Sequence, residues 1–387
     1  MDRRWIFVAF ACASAATIAP AQDGLGEPIQ IEDPSGHALE AFHASLANRQ
    51  GRTRIMVWGA SHTAEDRFTG ILRQTWQRRF GDAGPGFVLP AQPFPLYGHR
   101  EVVIAPTGGW RPVRTDGRHR RPDRYGPAGF AIESAGRAEA FVETRLVDSA
   151  RLFYLAQPSG GRFDLGGDGG PARTIATRGD RGQSLLVTPD GGLRRLTIQT
   201  RGDGVVRIYG VSLERQHPGV IVDAMGVPGA RMRDRLPWDD RAMQRQLEEL
   251  EPNLIVLAYG TNESGFTGRP LQRYRDEVDE ALRRAKTVAP GASCLLIGPS
   301  DWPVVEQGGG FAARPRTAEV IAIQREAALR HGCGYFDLVA FMGGPLSMPR
   351  WVEAGLALDD HVHFTEEGHR ILARALSAAL LRGFAGR

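Results

Sequence analysis

Four short stretches of this sequence carry side chains that, if brought together, could perform acyl transfer through a covalent intermediate. Ser61 follows an apolar run in "VWGASHTAEDRFTG". Gly226 and Gly229 follow another in "VDAMGVPG", Gly260 and Asn262 lie in "LAYGTNES", and Asp360 and His363 stand three apart in "LDDHVHFTEEGHR". A serine hydroxyl is a weak nucleophile until an imidazole takes its proton, and the imidazole needs a carboxylate to hold its tautomer. The oxyanion that then develops needs fixed donors, such as a glycine N–H and an asparagine side-chain amide. Taken singly, each residue has a plainer reading. Ser61 or Thr63 could cap a helix, Asn262 could be a turn residue, Gly229 a tight-turn glycine and His363 a surface histidine beside a helix start. Their recurrence after successive apolar runs is what points to chemistry.

The runs that must position them are "RIMVWG", "VIVDAMG", "NLIVLAYG", "SCLLIGPS" and "GYFDL". They alternate with helix-patterned segments, one of which repeats Leu271, Tyr274, Val278, Leu282 and Ala285 at three- and four-residue steps along one face. Strands alternating with helices predict a parallel sheet covered on both faces, a three-layer α/β domain. In such sheets ligands bind beyond the carboxyl ends of the strands, where these residues fall. From about Phe94 to Arg215 the helical period gives way to short alternating stretches such as "EAFVETRL", "ARLFYLAQ" and "GVVRIYGVSLE", separated by "PSGG", "GGDGG" and "PDGG". This predicts an all-β sandwich, residues 94–215, inserted between two parts of the α/β domain at 22–93 and 216–387.

The 387 residues, 42% hydrophobic and 24% charged, describe a core-forming chain. Its start, "MDRRWIFVAFACASAATIAPAQ", has a basic beginning, an apolar stretch too short to span a bilayer and the small-residue site Ala19-Pro20-Ala21. Residues 1–21 therefore read as a cleaved signal peptide, and the exported product as soluble, without stable membrane insertion. The formal net charge of +4 comes from scattered arginines, and "DGRHRRPDR" reads as a solvated loop. Nucleic acid is not an expected partner of an exported protein. Cys294 and Cys333 remain after the signal; they are either a disulfide or two buried thiols. Trp110, Tyr125, Phe153 and Tyr154 read first as sandwich core and second as sugar-stacking residues. Trp302 and Trp351 are candidates for substrate contact at the site mouth.

The blocks "GASH", "GVPGARM", "GTNES" and "DDHVH" resemble those of the SGNH, or GDSL-type, hydrolase superfamily. The resemblance implies Ser61 as nucleophile, His363 as base and Asp360 as the carboxylate orienting it. It implies an oxyanion hole from the N–H of Ser61, the N–H of Gly229 and the amide of Asn262, with Gly226 as the alternative glycine. The run "HTAEDRFTGILRQTWQRRFGDAGPGFVLP", the β insertion after it and "LFYLAQPSGGRFDL" resemble more closely the periplasmic peptidoglycan O-acetylesterases, in which a carbohydrate-binding-module-like β domain interrupts the SGNH domain. This implies a periplasmic deacetylase acting on the C6 hydroxyl of N-acetylmuramic acid in an acetylated polysaccharide, with no metal or organic cofactor.

One position departs from the family pattern. Ala60 stands where Gly-Asp-Ser blocks have aspartate, and His62, Glu65 and Asp66 are the nearby groups that could orient the turn in its place. Three other functions share these residues: acetyl transfer to a glycan hydroxyl, a lipase or thioesterase, and an impaired glycan-binding protein. His361 competes with His363 as base, but the three-residue spacing to Asp360 favours His363. A metal cluster of Asp359, His361 and His363 is the weakest reading, since no other ligand group has a recognisable spacing.

Overall fold

A computed structural model describes residues 25–114, 124–168, 170–180, 182–189 and 191–384. The signal-peptide reading at residues 1–21 and most of the arginine-rich loop lie outside the described residues. Five parallel strands form the central sheet: β1 (Arg52–Gly59), β2 (Gly219–Gly226), β3 (Leu254–Ala258), β4 (Ser293–Ile297) and β5 (Gly334–Phe336), in the order β2-β1-β3-β4-β5. Six helices frame it: α1 (Glu40–Ala47), α2 (Arg67–Phe80), α3 (Asp240–Leu250), α4 (Leu271–Val288), α5 (Pro315–Arg330) and α6 (Glu366–Leu381).

Both faces of the sheet are apolar because both are covered. Along β1, Ile55 and Val57 pack with Phe42 of α1, Leu72 and Trp76 of α2 and Leu376 of α6. Met56 and Trp58, pointing the other way, pack with Leu247 of α3, Val278 of α4 and Ile323 of α5. The result is the expected α/β/α stack. Tyr274, Val278, Leu282 and Ala285 of the helical stripe are all buried.

Between β1 and β2 the chain builds two antiparallel sheets. One runs Gly182–Val187, Ser149–Leu155, Val206–Glu214, Phe130–Ser134, Arg111–Arg114, and the other runs Val102–Pro106, Glu139–Val147, Leu193–Thr200, Arg162–Gly166, Arg173–Ala176. They share one core, in which Tyr154 meets Phe163 edge to face at 5.8 Å. Phe153 and Tyr125 are core residues rather than surface platforms. The chain joins the first sheet at Gly86–Val88, ahead of the change in texture at Phe94. That entry is fixed by Asp223 of β2, whose carboxylate accepts the Phe87 N–H at 2.7 Å. A Cβ at Gly86 would lie 2.3 Å from the same carboxylate.

Cys294 and Cys333 form a disulfide, spanning 39 residues. The register explains the pairing: Leu295 lies opposite Gly334 in adjacent parallel strands, which brings the preceding residues side by side. Replacing Cys333 with alanine is expected to lower stability by about 2–4 kcal/mol, read by urea denaturation, since loop closure then no longer restrains the unfolded chain.

Candidate active site

β1 ends at Gly59, and the chain turns at Ala60 into a single helical turn, Ser61–Ala64. This turn is packed hard against the end of β2. A Cβ at Gly59 would lie 2.2 Å from the Thr63 hydroxyl, and one at Gly226 would lie 2.3 Å from the Ala64 nitrogen. Gly226 is therefore a close-approach glycine, buried within its strand. Backbone bonds close the turn: Thr63 N–H donates to Ala60 O at 3.1 Å, and Val227 N–H to Gly59 O at 2.9 Å. Ala60 is buried, and no side-chain carboxylate takes part in these bonds.

Ser61 Oγ lies 2.9 Å from His363 Nε2, and His363 Nδ1 lies 2.7 Å from Asp360 Oδ2. A carboxylate accepts, so Nδ1 carries the proton and Nε2 is left as the acceptor facing the serine hydroxyl. The other oxygen of Asp360 accepts the N–H groups of Val362 and His363 at 2.9 and 3.0 Å. Partial burial would raise the Asp360 pKa, but these N–H groups and the His363 ring outweigh it and hold the carboxyl below its ordinary value.

Of the three residues considered as substitutes for the missing aspartate, only His62 reaches this segment. Its Nε2–H donates to the Val362 carbonyl at 3.0 Å, tying the nucleophile turn to the Asp360–His363 loop. Burial, followed by the nearby His363, lowers the His62 pKa to about 4, so the ring is neutral at working pH. Glu65 pairs instead with Arg67, and Asp66 with Arg73. His361 turns away from His363: it bonds Asp359 O at 2.8 Å, and its ring sits 4.5 Å from that of Phe311.

Val227-Pro228-Gly229-Ala230 forms a β-turn closed by Ala230 N–H on Val227 O at 3.0 Å, with Gly229 at φ +75. Proline second and a left-handed glycine third match a type II turn, whose closing bond does not use the Gly229 N–H. Asn262 lies in the turn after β3 and donates one Nδ2 hydrogen to Ala230 O at 3.0 Å. This fixes its amide beside the Gly229 turn and leaves the second hydrogen.

Sequence reasoning missed Glu263. Its two carboxyl oxygens accept Met232 N–H at 2.7 Å and Gly260 N–H at 3.1 Å, so it staples the Gly229 loop to the Asn262 loop. Burial pushes its pKa up to about 7 against those two bonds. An acid whose folded pKa is raised keeps its proton where the unfolded chain has lost it. Stability should therefore fall as pH rises from about 4.5 to about 7 and level off above. Glu263→Gln should remove that slope. It should also cut kcat by about tenfold at pH 8, where the native carboxylate accepts both bonds, with a smaller deficit at pH 6. Urea denaturation as a function of pH measures the slope, and a pH–rate profile with p-nitrophenyl acetate measures the kcat deficits.

Trp351 is not at the site mouth. It is fully buried, donates to Met342 O at 2.8 Å and packs on Phe364. Trp302 is half-buried, with the Arg314 guanidinium 4.2 Å over its ring.

Residues 192–371 match the GDSL-like lipase/acylhydrolase family. Among solved structures, a peptidoglycan O-acetylesterase described as in action is 24% identical, with 92% of this chain and 99% of that chain covered at a TM-score of 0.77. A family two carbohydrate esterase from Cellvibrio japonicus is 11% identical, with 74% and 98% covered at a TM-score of 0.30. No curated protein matches the sequence. The first of these structures shares its fold with this chain.

Proposed function

We propose, for a chain whose residues 192–371 match the GDSL-like lipase/acylhydrolase family, that it is an exported serine esterase removing O-acetyl groups from a polysaccharide. The polymer we infer is peptidoglycan acetylated at the C6 hydroxyl of N-acetylmuramic acid, and the compartment is the periplasm. The observation that carries the reading is the relay from Ser61 Oγ through the His363 ring to Asp360, at 2.9 and 2.7 Å. The substrate is suggested by the peptidoglycan O-acetylesterase whose fold the chain shares.

In this reading His363 Nε2 takes the Ser61 proton as Oγ attacks the acetyl carbonyl. The oxyanion forms against the N–H groups of Ser61 and Gly229 and the free amide hydrogen of Asn262. Asp360 stabilises the imidazolium. Collapse breaks the ester bond, and the imidazolium protonates the departing sugar oxygen. His363 then deprotonates a water that attacks the acetyl-serine, releasing acetate and returning the proton to Ser61. No helix among the described residues is long and apolar enough to cross a membrane.

The test is acetate release from O-acetylated peptidoglycan, set against a series of p-nitrophenyl esters of increasing chain length. Release from the polymer with preference for acetyl over longer acyl groups is expected. Preference for long acyl chains with no release from the polymer would overturn the assignment.

A further inference from the structure

A cleft of about 970 Å³ opens beside the Val227–Ala230 turn, between the antiparallel sheet and the α/β domain. Arg114 lines it from the sheet, and Arg233, Arg235, Arg269 and Arg273 from the α/β side. Four acids also line it, but each has a partner. Asp234 accepts the Arg231 N–H at 2.8 Å, Asp276 accepts Gln272 at 2.9 Å, Glu277 pairs with Arg269, and Glu280 pairs with Arg283 at 2.8 Å.

Arg235 has a different environment. It is 7% exposed, and its guanidinium lies 4.5 Å from the Trp58 ring and 4.3 Å from that of Trp238. Two indoles thus fix the plane of a planar donor fork. Its Nη1 is buried and has no hydrogen-bond partner. A buried charged donor left unpaired is costly, and the acyl-transfer steps make no use of this one. Among the described residues, Arg233 reaches only the Asp234 carboxylate, at 3.9 Å, and Arg273 shares Glu277 at 4.0 Å with Arg269. Burial, then the charges of Arg273, Arg233 and Arg231, lower the Arg269 pKa, as expected where cations crowd together.

The geometry points to an anion subsite of the same active site: we propose that the cleft takes a carboxylate carried by the glycan beside the acetylated unit. A carboxylate matches the flat arginine fork and supplies the acceptor that Arg235 Nη1 lacks. The subsite adjoins the Gly229 turn, so it would hold the polymer next to the oxyanion hole rather than at a remote surface. The proposal rests on the esterase reading for its polymer, but its binding chemistry can be tested without turnover.

The experiment uses calorimetric titration of the full Ser61→Ala protein with three probes: a deacetylated muramyl-peptide glycan fragment, the same fragment with its carboxylates amidated, and an oligouronate. Titrations are repeated with Arg233→Ser/Arg273→Ser and with Arg235→Gln added. A carboxylate probe should bind about tenfold or more tightly than the amidated fragment, with the preference weakened by salt and lost in the arginine variants. Tighter binding of the muramyl peptide would place the carboxylate on a peptide branch, and tighter binding of the oligouronate would place it on the sugar. Equal binding of charged and amidated probes, no binding of any, or a preference that survives the arginine changes would overturn the subsite. Should Arg235→Gln fail to fold, the half-buried Arg233 and the exposed Arg273 still decide. Carboxylate preference without any acetate release from the polymer would overturn the esterase reading alone. Acetate release without the preference would overturn the subsite alone.

Discussion

Ser61→Ala is expected to lower kcat for acetyl-ester hydrolysis by about 10⁴-fold or more while leaving thermal unfolding unchanged. The substitution removes a hydroxyl whose hydrogen-bond partner is His363 Nε2, at the start of a one-turn helix that backbone bonds already hold. Little packing is lost, so the loss should appear in turnover rather than in stability. His363→Ala should cost about as much, and the double variant should be hardly worse than either single one, because the two groups act as one proton-transfer unit. Steady-state kinetics on p-nitrophenyl acetate and on O-acetylated peptidoglycan measure all three. A Ser61→Ala protein as active as its parent would remove Ser61 from the mechanism.

What could be read of this site before its geometry follows from how local each feature is. Ser61, and the Asp360–His363 pair, sit in short segments whose chemistry is intrinsic to residue type and spacing, and the strand pattern placed them at one sheet edge. Gly229 is legible for a backbone reason, since Val-Pro-Gly-Ala encodes its own turn. Glu263 was hidden because an acid in the first turn of a helix looks ordinary in sequence. Only the tertiary approach of the Met232 and Gly260 N–H groups makes it a staple. The pairing of Cys294 with Cys333 depends on β4 and β5 being neighbours in register, which periodicity along each segment does not specify.

Trp351 shows the opposite failure. Its proximity in sequence to Asp360 suggested the site mouth, yet the helix Met348–Glu353 turns the indole inward onto Phe341 and Phe364. The strand Gly86–Val88 is hard to find in "GDAGPGFVLP" because glycine and proline, the residues around it, are turn formers. Those glycines serve close approach: Gly84 would meet Leu213 O at 2.6 Å if it carried a Cβ. The strand's partner, Val211–Leu213, lies far away in sequence.

Asp66 yields the largest stability effect we expect, because with Arg73 it joins the nucleophile turn to two distant parts of the chain, the Arg100–Glu101 segment and β2. Its carboxylate pairs with Arg73 and accepts the Thr69 hydroxyl at 2.9 Å and the Arg100 N–H at 3.0 Å. Arg73, fully buried, also donates to Val222 O of β2 at 3.0 Å and to Glu101 at 3.2 Å. Asp66→Ala would leave that guanidinium without its main counter-charge, at a cost of about 3–5 kcal/mol by urea denaturation at pH 7. Burial would raise the Asp66 pKa, but Arg73 above all outweighs it, and the carboxyl is held at about 2. For an acid with a depressed folded pKa, the stabilisation is full above the unfolded value near 4 and is lost as pH falls through about 2. The wild type should therefore lose about 2 kcal/mol from this group between pH 5 and pH 2. Asp66→Asn separates charge from shape: it keeps an acceptor of similar size but cannot titrate, so this part of the acid sensitivity should vanish. If the acid sensitivity is unchanged in Asp66→Asn, the Asp66–Arg73 pair is not what holds the turn behind Ser61.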